Sequence, residues 1–209
     1  VAFDIRQDDF HDIFKKWQPL MQGRVANLLF LDQNGVDQIT KPIFQSIVKI
    51  LRTDFLFFIS SAMVNRFKKS KKICENLPIE PEDFSSMNGQ NVHRILVNAY
   101  LRWIPDDVDY FLGAFSIKKG ANVYGLVFGS RHPRGIDKFL QVAWKHGGDA
   151  NFDIDKDGID PGQPSLFPEN DKPTKISEFE QALEQEILNC TLKTNKDLYI
   201  FTLRNGMLA

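Results

Sequence analysis

Apolar positions along the chain fall into short unbroken runs and longer helical stripes. Leu28, Leu29, Phe30 and Leu31 form one such run, which stops abruptly at Asp32, Gln33, Asn34 and Gly35. A run without alternation predicts a strand buried on both faces of a parallel sheet, which places Asp32 at the carboxyl end of a central strand. The stretch from Asp54 to Ser61 repeats the pattern, ending in two serines. Between them a helix is expected over Lys41 to Leu51, with Thr40 as its cap and Pro42 in its first turn. Strand, helix, strand implies a right-handed crossover and a parallel pair whose tips meet at one sheet edge. In open α/β sheets that edge is where ligands bind. Locally, Asp32 reads equally well as a helix cap and Gly35 as a turn residue.

The rest of the chain follows the same two patterns. Val1 to Ile5 suits a short strand, and Phe10, Ile13, Phe14 and Trp17 recur at helical spacing behind a candidate cap, Asp9. A second stripe, Val92, Ile95, Leu96, Ala99, Tyr100 and Trp103, predicts a packed helix. Tyr110 to Ile117 and Val123 to Ser130, joined by a short polar connection with glycine, predict an antiparallel hairpin. A helix with Ile136, Phe139, Leu140, Ala143 and Trp144 inward should end near Gly147 and Gly148. Four prolines between Pro161 and Pro173 mark a linker. Beyond it, Ile176, Phe179, Leu183 and Ile187 form a helical stripe, and Asp197 to Leu203 is strand-like. The expected fold is α/β and three-layered, with a mostly parallel Rossmann-like sheet ending in an antiparallel hairpin. It divides into a main domain over residues 1–160, a linker over 161–175, and a helix/strand appendage over 176–209.

Composition narrows the picture little. The 209 residues are 43% hydrophobic and 25% charged with a net charge of -1, so any basic surface must be local. Cys74 and Cys190 lie far apart and lack a metal-binding spacing, which makes a reducing, cytoplasmic setting the expectation. No apolar run reaches the length of a membrane span, and Val1 to Arg6 do not resemble a signal sequence. The chain opens on Val1 with strand-like residues at once, which suggests a piece of something longer. Arg66, Lys68, Lys69, Lys71 and Lys72 place five cations in seven positions, readable as phosphate contacts or as a solvated helix end. Asp153, Asp155, Asp157 and Gly158 imitate the start of a calcium-binding EF-hand loop, but Pro161 and Pro164 stand at its ninth and twelfth positions.

Three pieces together resemble a known family: the strand ending in Asp32-Gln33-Asn34-Gly35, the Asp54 to Ser61 strand, and the hairpin ending Tyr124-Gly125-Leu126-Val127-Phe128-Gly129-Ser130-Arg131-His132. They are similar to the three-Cys-motif partner proteins (TcmP), whose fold resembles that of S-adenosylmethionine-dependent methyltransferases. The resemblance covers most of Val1 to Phe167. It implies that Asp9 and Phe10 lie near the cofactor's adenine, and that Asp32, Gln33, Asn34 and Gly35 occupy the place of an Asp-Pro-aromatic-Gly motif. It also implies a hairpin typical of methyltransferases and a tail that begins a winged-helix-like region. Gln33 and Asn34 depart from the motif's proline and aromatic, leaving Asp32 as its direct match. The glycine-rich turn that would hold the methionine part of S-adenosylmethionine is not in this sequence, so the cofactor site is incomplete.

Two functions compete. One is an enzyme that methylates an amine, such as one on a nucleic-acid base, beside Asp32, with Lys68, Lys69, Lys71 and Lys72 on the phosphates. The other is a non-catalytic module binding a three-Cys-motif partner protein in a mobile-element or phage-defence setting. A metal-dependent nuclease using Asp32 with Asp8 or Asp9 ranks last, since no motif with nuclease spacing is present and no metal is expected.

Overall fold

A computed structural model describes residues 5–32, 36–87, 92–119, 122–147 and 175–209. Helix α1 (Phe10–Met21) starts where Asp9 Oδ1 accepts a hydrogen bond from the His11 amide at 2.9 Å, and it buries Phe14 and Met21. Strand β1 (Asn27–Leu31), helix α2 (Lys41–Lys49) and strand β2 (Thr53–Ser60) form the expected crossover, with β1 and β2 parallel from Asn27 beside Thr53 to Leu31 beside Phe57. Thr40 is the N-cap residue of α2 and Pro42 lies in its first turn, although the Thr40 hydroxyl makes no capping bond. Three short helices follow, α3 (Ser61–Arg66), α4 (Lys71–Asn76) and α5 (Pro81–Ser86), then the packed helix α6 (Val92–Leu101). The hairpin is β3 (Phe111–Lys119) and β4 (Asn122–Ser130), followed by α7 (Pro133–Gly147), α8 (Lys175–Leu188) and α9 (Asn195–Arg204).

The four described strands form one sheet in the order β1-β2-β4-β3, with one parallel and two antiparallel pairings. This corrects the expectation of a mostly parallel sheet. The hairpin folds back so that its second strand, β4, pairs with β2, and so contributes two antiparallel ladders against the single parallel one. Among the described strands β1 lies at the edge of the sheet, not at the central position expected for it. Its side chains alternate, with Leu29 and Leu31 partly covered while Leu28 is 72% and Phe30 68% exposed.

Helices pack on both sheet faces. On one face Phe55, Phe57 and Ile59 of β2 meet α2 and α6, whose Phe44 and Tyr100 are fully buried. Ring centroids lie 5.0 Å apart between Phe44 and Tyr100 and 5.2 Å between Phe57 and Tyr100, the spacing of a tight aromatic core. Gly129 of β4 lies directly against the Phe55 and Tyr110 rings, leaving no room for a Cβ. On the other face Phe111 packs with Ile136 and Leu140 of α7 and Leu203 of α9. That cover lies over β3 and β4, while Leu28 and Phe30 on the same face at β1 stay open.

The run from Asp197 to Leu203 is helical, not the expected strand. Thr194 and Asp197 form a capping box that starts a helix just before the apolar residues, and Tyr199, Ile200 and Leu203 then recur on one face. This tail docks: Trp144 Nε1 donates to the Gly206 carbonyl at 3.2 Å, and Arg204 pairs with Asp109 at 2.7 Å. The linker over 161–175 and the EF-hand-like residues 153–164 lie outside the described residues, apart from Lys175 at the start of α8, as do Val1 to Asp4 of the expected first strand. No helix among the described residues is long and apolar enough to cross a membrane.

Candidate functional site

Because β1 and β2 run parallel, their carboxyl ends bring Asp32 and Ser60 to the same edge of the sheet. Asp32 follows the last residue of β1 and is exposed. Ser60 passes directly into α3, its Oγ accepting from the Met63 amide at 3.3 Å. The chain beyond Gly35 is drawn across this edge by two contacts to Asp37. The His11 ring Nε2 donates to the Asp37 carbonyl at 3.2 Å, and the Asp37 carboxylate lies 2.8 Å from Lys72 Nζ. The Lys72 ammonium holds the Asp37 carboxyl below its ordinary pKa, because it hydrogen-bonds the charged form. Beside this ion pair lies a cleft of about 230 Å³ lined by Val36, Met63, Phe67, Ser70, Lys72 and Ile73. Its lining is mostly apolar with polar groups at Ser70 and Lys72, a composition suited to a small, largely apolar group.

Of the residues expected near a cofactor, Asp9 is the cap of α1, and Phe10 packs on the core with its ring 6.0 Å from that of Phe14. Both stand next to His11, so the start of α1 does reach the loop that follows Asp32. Gln33, Asn34 and Gly35 lie outside the described residues. The lysine run is largely committed to the protein itself. Lys68 Nζ donates to the Met87 carbonyl at 3.0 Å, Lys71 lies 3.7 Å from Glu75, and Lys72 pairs with Asp37. Lys69 is exposed.

Comparison with protein families, with curated proteins and with solved structures found no match. The reading of this edge therefore rests on its own geometry. His11 and Asp37 were not singled out from the sequence, because nothing local distinguishes them. His11 is one more residue in the first turn of a helix, and its partner is 26 positions away. Among the described residues no three His, Cys, Asp or Glu side chains come together as a metal-binding set.

Proposed function

We propose that the chain is a methyltransferase-like α/β module of the three-Cys-motif partner type, with Asp32 as the acceptor that orients a substrate amine. The observation that carries this reading is the sheet. A parallel pair ends in Asp32 and Ser60 at one edge, and the last strand inserts antiparallel between β2 and β3, as in the terminal hairpin of methyltransferases. An exposed carboxylate at a strand tip is free to accept hydrogen bonds from an amine without disturbing the core.

The residues present supply only part of an S-adenosylmethionine site. Phe10 offers a ring beside the start of α1, but Asp9 already accepts from the His11 amide, and the sequence holds no glycine-rich turn after a strand. The test is calorimetric titration of S-adenosylmethionine into the protein, with Asp32→Asn as the paired variant. Binding is expected in both, with methyl transfer reduced in Asp32→Asn by a few kcal/mol of transition-state stabilisation, on the order of the loss of one oriented acceptor. Failure to bind S-adenosylmethionine would overturn the enzymatic reading. It would favour a partner-binding module, a reading to which the open Leu28 and Phe30 side chains lend support.

A further inference from the structure

The opposite end of the sheet gathers cations that are scattered in sequence. Strand β4 runs antiparallel to β2, so its carboxyl end returns to the amino ends of β1 and β2. Arg24 precedes β1, Lys49 ends α2, Arg52 precedes β2, and Arg131 follows β4. They form two contacting pairs: Arg52 Nη1 donates to the Arg24 carbonyl at 3.0 Å, and Arg131 Nη1 donates to the Lys49 carbonyl at 3.4 Å. The guanidinium groups are thus held by backbone carbonyls, which fix their place without cancelling their charge. Among the described residues none of the four pairs with a carboxylate, and Arg24, Lys49 and Arg52 are exposed. The Asp54 carboxylate lies at this same end of the sheet, beside Gly135 of α7.

We propose that this rim of Arg24, Lys49, Arg52 and Arg131 is a docking surface for the phosphate backbone of nucleic acid. Three of the four are arginines, whose planar fork matches phosphate oxygens better than an ammonium does. Val25 and Leu51 are exposed beside them, and neither lies in a helix whose apolar face could enter a bilayer. The inference stands apart from the methyltransferase reading, since the five-residue strand β1 separates this rim from Asp32 by about 17 Å. It also shifts nucleic-acid contact away from the lysine run, in which Lys71 and Lys72 face the Glu75 and Asp37 carboxylates.

The experiment is fluorescence anisotropy of a short DNA duplex of random sequence with the intact chain, across a salt series. Binding should weaken with salt, and the slope of log affinity against log salt should fall by about one unit for each cation removed. The variant Arg24→Glu/Lys49→Glu should therefore lose about two units of slope, and Lys69→Glu/Lys71→Glu should leave the slope unchanged. Arg24→Gln/Lys49→Gln gives the same loss of slope without introducing repulsion, and decides the matter should the reversed variant fold poorly. Absence of duplex binding at low salt would overturn the proposal. So would an equal loss in the Lys69/Lys71 variant, or binding to anionic phospholipid vesicles with none to the duplex.

Discussion

Strands β1 and β2 look alike in sequence and behave differently in the fold. Each is an apolar run that ends in polar residues, and they lie side by side in register. In β2, Phe55, Phe57 and Ile59 are each 1% exposed, because β2 has a neighbour on both sides and helices over that face. In β1, Leu29 and Leu31, which lie beside Phe55 and Phe57, are only partly covered, because β1 is the edge among the described strands. Leu28 and Phe30 on the opposite face are mostly exposed, because the helices of that second face cover β3 and β4 instead. Hydrophobicity therefore sets the tendency to form a strand, while the strand's place in the sheet decides how much that hydrophobicity stabilises.

The sharpest test of this contrast is Phe57→Ala. It removes a ring packed 5.4 Å from Phe55 and 5.2 Å from Tyr100, and should cost about 3–5 kcal/mol, read as a lower denaturation midpoint in urea. A loss under about 1 kcal/mol would show the core to be loosely packed at its centre. The same measurement on Leu28→Ser/Phe30→Ser should move stability by no more than about 0.5 kcal/mol per site, because little apolar area is withdrawn from water there. A loss approaching that of Phe57→Ala would mean that β1 is covered in solution, and would erase the distinction.

The smallest effect concerns the loop that ties the end of β1 to α1 and α4. Asp37 has its pKa lowered from the ordinary 3.8 by Lys72, so its contribution to stability is present above that value and is lost as pH falls through the lower, folded pKa. In Lys72→Met the Asp37 carboxyl titration, followed by NMR, should move back up toward 3.8, with only a slight change in acid stability because the pair is half-exposed. An unchanged titration would assign the shift to another group.

Much of the fold was legible along the chain. The two apolar runs, the Thr40 and Pro42 start of α2, the stripe of α6 and the hairpin all follow from local patterns of burial and turn chemistry. The tail misled because Leu198 to Leu203 is apolar enough for a strand, and the capping residues Thr194 and Asp197 outweighed that run. The candidate edge was visible in Asp32 and Ser60, but His11 and Asp37 were not. The basic run at Lys68 to Lys72 was conspicuous in sequence, yet Lys71 and Lys72 face carboxylates in space, whereas the arginine rim was invisible until β4 returned to β2.

The sequence by itself determined which segments become strands and helices, since periodicity and caps act over a few neighbouring residues. It also determined that β1 and β2 would be parallel, because a helix joins them and the crossover admits one hand. Tertiary structure alone decided that β1 is the edge among the described strands, that the tail helix α9 closes over Phe111, and that Arg24, Lys49, Arg52 and Arg131 come to one end of the sheet. These outcomes depend on pairings between residues far apart in sequence, as between Lys49 and Arg131 or between Asp109 and Arg204. Such pairings are selected by the total area buried and the bonds satisfied across the whole domain, which no local pattern encodes.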